Sequence, residues 1–267
     1  MLKDITLGQY FPIDSALHKL DSRTKILLLI FDVVAIFMAQ SLYSYALIIA
    51  FTLFIMLLSK VPMKLYFKGL KPILFVIVFT AILNMFLTDG KDLPLFGYSV
   101  GITVEGVQTA VKMALRLVLL IISSSVLTYT TSPMSLTDGI EKLLKPLTKI
   151  GFPSHELAMM MSIAIRFIPT LIEETDKIIK AQQARGADFD TGSIFKRAKA
   201  LIPMLVPLFI SAFRRADELA VAMESRCYRG GDTRTRMNEI RFSVADLWGW
   251  LVFVLFFAAV IVLNFVF

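Results

Sequence analysis

The chain has 267 residues, 57% of them hydrophobic and 18% charged, with 22 Phe, 13 Met and a formal charge of +7. A soluble domain carries about a quarter charged residues, and a core of this size could not hold so many large apolar side chains. The single Cys227 excludes a disulfide scaffold and the hydrophobicity excludes intrinsic disorder, which leaves an integral membrane protein.

In chain order, residues 1–25 are polar and have no apolar stretch followed by a small-residue cleavage site, so no cleavable leader is expected. Spans are predicted at 26–41, 42–59, 72–88, 107–129 and 244–266. The first two could form one long segment. The interruption at Gln40-Ser41, with Tyr43 and Tyr45 beside it, favours a tight turn instead. Asp32 is the one acid or base between residues 26 and 58. The apolar residues around it outweigh its insertion cost of roughly 3 kcal/mol. It then needs a partner, and Arg116 or Lys112 of the fourth span is the candidate. An Asp32–Arg116 pair reads either as a structural intramembrane pair or as a functional site.

Lys60, Lys64, Lys68 and Lys71 make the second loop basic, whereas 88–105 is acidic on balance. Basic loops stay in the cytoplasm. The N-terminus, the 60–71 loop and the charged section 133–243 are therefore expected inside, and 88–105 outside. The expected organisation is 1–132 with four spans, 133–243 as a cytoplasmic helical section, and 244–267 as the last span.

Section 133–243 reads as three helices. The first, about 134–149, follows Thr131-Ser132-Pro133 and stops before Gly151 and Pro153. The second opens at Ser154 as N-cap. Its apolar stripe runs Leu157, Met161, Ala164, Ile168, Leu171, Thr175, Ile178, Gln182 to a stop near Arg185-Gly186. Pro169 should kink it without ending it. The third has the stripe Ile202, Leu205, Phe209, Ala212, Ala216, Leu219, Met223, Cys227, with bends expected at Pro203 and Pro207 in its first turns and an end before Gly230-Gly231. Two such helices could pack as an antiparallel pair or cross as an X, and the simplest reading of the stripes is a helical hairpin with Met and Phe as its core.

The two long helices repeat each other at a constant offset. Asp176 matches Asp217, Ile178 matches Leu219, Ala181 matches Ala222, Ala184 matches Ser225 and Arg185 matches Arg226. One arginine near a helix C-terminus is ordinary dipole compensation. Two in register, each flanked by small residues that admit a close backbone, offer two guanidinium forks to carboxylates. They imply a partner present in two copies.

Residues 8–25 (Gly-Gln-Tyr-Phe-Pro-Ile-Asp-Ser-Ala-Leu-His-Lys-Leu-Asp-Ser-Arg-Thr-Lys), with Arg166-Phe-Ile-Pro-Thr, Ala181-Gln-Gln-Ala-Arg-Gly and Ala222-Met-Glu-Ser-Arg-Cys-Tyr-Arg-Gly-Gly, resemble the transmembrane (T) component of energy-coupling factor transporters. The resemblance implies an all-α membrane protein with about five spans. It also implies a three-helix coupling section whose two long, kinked helices are tipped by arginine. The partners it implies are two ATP-binding cassette ATPases, identical or different, and one small substrate-binding membrane subunit, for vitamin or metal-ion uptake. The family's paired Ala-Arg-Gly motifs, which dock into the ATPases, map onto Ala184-Arg185-Gly186 and Ser225-Arg226-Cys227. The second departs from the pattern at both flanks.

Other chemistry finds little support. There is no phosphate-binding Gly-x-x-x-x-Gly-Lys-Ser/Thr loop, so ATP hydrolysis is expected in the partners and the chain itself is expected to be non-catalytic and without a cofactor. His18 and His155 are far apart in sequence, and no metal site is expected. Glu173-Glu174-Asp176 reads as a salt-bridged face with Lys177 and Lys180. Arg229, Arg234, Arg236 and Arg241 suit anionic lipid better than nucleic acid. A self-sufficient secondary transporter would need inverted repeats, which are not seen, though Asp32, Asn84 and Arg116 keep it open. A dedicated cobalt- or nickel-type permease subunit of the same family is the other alternative.

Overall fold

The computed structural model describes residues 10–88, 92–95, 98–187, 194–228, 230 and 242–266. It divides into two compact units. One comprises Gly8–Gly139 with Ile240–Phe267, the other Met1–Leu7 with Ile140–Glu239. Its helices are α1 (Ser22–Met38), α2 (Leu42–Ser59), α3 (Met63–Leu70), α4 (Leu74–Leu87), α5 (Val104–Thr130), α6 (Pro133–Leu144), α7 (Ser154–Ala184), α8 (Ile194–Ser225) and α9 (Val244–Val266).

In the first unit, α1, α2, α5 and α9 meet around Ala35, Ile36, Ala39, Tyr45, Ile48, Leu119, Phe253, Phe256 and Val260. Ala35 and Ala39 are small enough for neighbouring helices to approach closely, the usual device of helix packing in lipid. Phe51 stacks on Phe256 with ring centroids 3.8 Å apart. The turn between α1 and α2 falls at Ala39–Ser41, where Ser41 caps α2 by accepting from Tyr43 N–H. Asn264 of α9 latches that turn, accepting from Ser44 Oγ at 2.8 Å and donating to Met38 O at 2.7 Å.

The N-terminal signature is structural in this unit. Asp21 caps α1 by accepting from Arg23 N–H, and its own N–H donates to buried Asp246 at 2.7 Å. Asp246 also accepts from Ser243 N–H, so one carboxylate ties together the starts of α1 and α9. Lys25 reaches Thr130 O at 2.9 Å.

Two segments expected as loops are ordered. The lysine-rich 60–71 stretch contains α3, which buries Tyr66 against Tyr129, with Ser59 Oγ 3.0 Å from the Tyr66 hydroxyl. Within 88–105, Asp92–Leu95 pairs antiparallel with Tyr98–Thr103 as β1 and β2. Thr103 then caps α5 through Gly106 N–H and donates to Thr88 O. Among the described residues the remaining elements are helical.

By length and composition α2, α5, α7 and α9 can each cross a bilayer, and α3 with α4 make a further pair bent by 57°. Helix α1 has 17 residues and includes Asp32. Helix α7 qualifies on its first half, since Glu173, Glu174, Asp176, Lys177 and Lys180 crowd the second.

In the second unit the first predicted helix is split. Pro146 lacks the N–H that α6 would need to continue, and Lys145–Ile150 winds as a 3₁₀ turn closed by Gly151 at φ 86. Ser154 is the first helical residue of α7 rather than its N-cap, which is Pro153. Helix α8 begins well before Ile202, so Pro203 and Pro207 lie in its interior rather than in its first turns. It ends at Ser225, before Gly230-Gly231 as expected; Gly231 lies outside the described residues.

Candidate functional site: the two ends of a helical hairpin

Helices α7 and α8 run antiparallel. Gln182 Nε2 donates to Pro203 O, and Glu174 accepts from Ser211 Oγ and, at 2.8 Å, from Arg215. Ile163 and Arg166 share a pocket with Leu219, Met223 and Arg226. As the α7 number rises, the α8 number falls. The Gln182 bond also answers a local need. Pro207 has no N–H to give to the carbonyl four residues earlier, and that carbonyl belongs to Pro203.

Glu174 therefore pairs across the hairpin with Arg215, not along its own helix with Lys177 and Lys180 as its spacing suggested. The Ser211 hydroxyl and then the Arg215 guanidinium hold its carboxyl below the ordinary value of 4.5. Arg215 stands at the same repeat offset from Glu174 as Arg226 does from Arg185. The contact thus lies close to a local two-fold axis relating the helices.

Both helices end in the same hydrogen-bonded cap. Gly186 N–H donates to Gln183 O and Ala187 N–H to Gln182 O, each at 2.9 Å. At the equivalent place Cys227 N–H donates to Glu224 O at 2.8 Å and Tyr228 N–H to Met223 O at 3.0 Å. This paired pattern is the Schellman motif, which requires a left-handed residue after the cap. Gly186 supplies it at φ 85 and Cys227 at φ 58.

Arg185 and Arg226 occupy identical places in the two caps. Both side chains are exposed, and among the described residues neither makes a hydrogen bond or ion pair. Antiparallel pairing sends them to opposite ends of the hairpin, about 40 Å apart at 1.5 Å per residue. Ala184, Gly186, Ser225 and Cys227 flank them and are also exposed. Arg166 is the residue that sequence reasoning missed beside Arg226. The antiparallel register would have found it.

The stripes do not close on one another as a hairpin core. Ser154 and Ala158 are the buried residues of α7, and no described residue of α8 is buried. Ile202, Phe209, Ile210 and Phe213 are each more than half exposed. Pro169 sits within α7, and the helix continues through it.

The Asp32–Arg116 pair is not formed. Arg116 lies two turns from Ser123 along α5, about 10 Å. It is directed to Tyr45 Oη at 3.3 Å and Phe37 O at 3.5 Å, with its guanidinium over the Phe37 ring. Asp32 faces Ser123 instead. His18 bonds Ser15 and Phe11 O, and His155 pairs with Glu141 at 3.2 Å. Among the described residues no group of three or more His, Cys, Asp or Glu could hold a metal ion. Arg229, Arg234, Arg236 and Arg241 lie outside the described residues.

A family model described as "Cobalt transport protein" (CbiQ) matches residues 14–237. The chain is 60% identical over 247 residues, 92% of each chain, to the energy-coupling factor transporter transmembrane protein EcfT of Clostridium kluyveri. It is 54% identical over 267 residues, 100% of each chain, to the protein of the same name in Ruminiclostridium cellulolyticum. Identity to the one in Listeria innocua serovar 6a is 47% over 246 residues, 92% of this chain and 93% of that one. A multi-pass helical chain whose two long helices end in matched arginine caps therefore belongs to the CbiQ family, the transmembrane components of energy-coupling factor transporters.

Proposed function

We propose that this chain is the non-catalytic coupling subunit of an ATP-driven uptake transporter, joining two cytoplasmic ATP-binding cassette ATPases to one small substrate-binding membrane subunit. The observation that carries this reading is the matched pair of caps, each presenting an arginine that is unpaired among the described residues, between small exposed residues at opposite ends of one hairpin. Each cap, Ala184-Arg185-Gly186 and Ser225-Arg226-Cys227, docks on one ATPase. A guanidinium fork seats against a carboxylate there, and the small flanks let the ATPase surface approach the backbone.

ATP binding draws the ATPases together and hydrolysis lets them part. Because the two seats lie on different helices, their relative movement shears α7 against α8. The uncovered apolar side chains Ile202, Phe209, Ile210 and Phe213 give the substrate-binding subunit a surface that feels this shear. Lys60, Lys64, Lys68 and Lys71 support a cytoplasmic location for that end of the membrane unit and for the N-terminus. The charge of section 133–243 supports a cytoplasmic location for α7 and α8 as well.

The family description favours one variant, a dedicated metal-ion permease, in which cobalt or a similar ion is the cargo of the partner subunit. Purification in mild detergent tests both versions. Two ATPase copies and one small membrane protein should elute with the chain, and the identity of that small protein decides the substrate. A chain that transports when purified alone would contradict the reading.

A further inference from the structure

An open-sided pocket of about 430 Å³ lies between α1, α2, α5 and α9 of the membrane unit, and coupling through the hairpin gives it no task. Its wall is apolar almost throughout, with Leu28, Phe51, Ile55, Val126, Trp248 and Phe253 among its side chains. Three polar side chains in the wall have partners of their own. Thr52 donates to Ile48 O and Thr130 to Val126 O, both at 2.8 Å. Lys25 Nζ donates to Thr130 O at 2.9 Å and to His18 O at 3.3 Å. Ser123 faces the Asp32 carboxyl from α5. Asp32 Oδ1 is left with no partner, on a residue only 5% exposed.

A buried acceptor without a donor carries its full desolvation cost. A water molecule is a poor remedy, because an ordered water needs about two to four polar partners and the wall offers just Ser123 beside Asp32 Oδ1. The volume falls in the range of roughly 300–1,000 Å³ typical of small-molecule sites. The lining runs from Lys25 to Asp32 on α1 and from Phe51 to Leu58 on α2. Two turns on each helix make the cavity about 10 Å long. Lys25 and Asp32 border the same space with opposite charge, so a ligand with net charge would gain from one and lose to the other.

We infer that this cavity binds an uncharged single-chain amphiphile. Its alkyl chain lies against the leucine and phenylalanine side chains, and its hydroxyl or amide N–H donates to Asp32 Oδ1. The site is independent of ATPase docking and stands or falls separately.

The chain supplies its own reporter. It has two tryptophans, and Trp248 lines the cavity, so a Trp250→Phe background isolates the signal on the wall. The full chain in phosphatidylcholine vesicles is titrated with a bromo-substituted long-chain alkanol and with the matching bromoalkane, and quenching of Trp248 is followed. Saturable quenching by the alkanol, at least about tenfold tighter than by the alkane, is expected from one satisfied buried acceptor. It should be lost in Asp32→Leu and kept in Asp32→Asn, whose amide oxygen still accepts. Linear quenching by both compounds alike would mean bilayer partition only and would overturn the inference. So would saturable quenching that Asp32→Leu leaves unchanged. The alkanol–alkane comparison uses the intact carboxyl, so it decides the matter even if Asp32→Leu does not fold.

Discussion

At one end of the hairpin a glycine holds the left-handed residue of the cap. At the other end a cysteine holds it, with a φ of 58 against 85 and the same two cap hydrogen bonds. Open space surrounds the position where a Cβ would sit on Gly186, so it is the left-handed backbone, not crowding, that favours glycine there. A non-glycine residue in that conformation costs of order 1–3 kcal/mol and persists where its surroundings over-determine it. Two different residues held in one geometry show that the cap is set by the helix end and its hydrogen bonds. The permissiveness of glycine is secondary. The ends differ in their neighbours as well, because Arg226 shares its pocket with Arg166. The backbone presented to a partner is the same at both ends.

The comparison breaks most severely if both arginines are reversed. Arg185→Glu with Arg226→Glu should abolish ATP-dependent uptake and ATPase retention on purification, while membrane insertion stays intact. Normal uptake by the double variant would dismiss the caps as docking points. Single replacements then ask how equivalent the ends are. Arg185→Ala and Arg226→Ala should each weaken ATPase retention about tenfold or more, from loss of a charge-assisted hydrogen bond worth about 1.5–3 kcal/mol. A clearly smaller loss at Arg226 would mean that Arg166 substitutes for it, which Arg166→Ala in the same background would remove.

Exchanging the left-handed residues is a gentler test. Cys227→Gly should relieve strain of about 1 kcal/mol and slow amide exchange at Cys227 and Tyr228, and Gly186→Cys should speed exchange at Gly186 and Ala187. No change at either cap would mean that the hydrogen bonds alone set the conformation at no cost.

The smallest effect belongs to the hairpin centre. Glu174 has its carboxyl pKa held below 4.5 by Ser211 and Arg215. A depressed folded pKa stabilises above the unfolded value, and that contribution is lost as pH falls through the lower folded one. Amide exchange at mid-hairpin should therefore rise as pH drops below the ordinary carboxylate value, after correction for the intrinsic pH dependence of exchange. The step should vanish in Glu174→Gln. It will be modest, because the pair is partly exposed and screened.

Much of this was legible in the sequence, for reasons that differ from element to element. Helix α2 is an apolar run bounded by Ser41 and Lys60, and length with composition suffices to place it. The repeat of Arg185 and Arg226 needs only counting, and the structure gives both the same cap. Helix α3 was hidden because its lysines dominate a reading by charge, although Tyr66 between Lys64 and Lys68 marks a buried face. The partner of Asp32 was not readable either. Arg116 and Ser123 both lie on α5, and only the register of α1 against α5 decides which of them stands level with Asp32. The same limit applies to Glu174, whose sequence neighbours are lysines and whose actual partners come from α8. Pairings along a helix follow from spacing, whereas pairings between helices need a register that periodicity does not supply.

The central claim is that both arginine caps are seated in ATPases, and the chain's single cysteine provides the most direct measurement. Cys227 is a free, exposed thiol next to Arg226. Maleimide labelling should proceed readily on the isolated chain in detergent and be strongly suppressed in the assembled complex with its ATPases, with labelling restored when they are stripped off. Equal labelling rates with and without the ATPases would contradict the claim, because the Arg226 cap would then stand open while the transporter is whole.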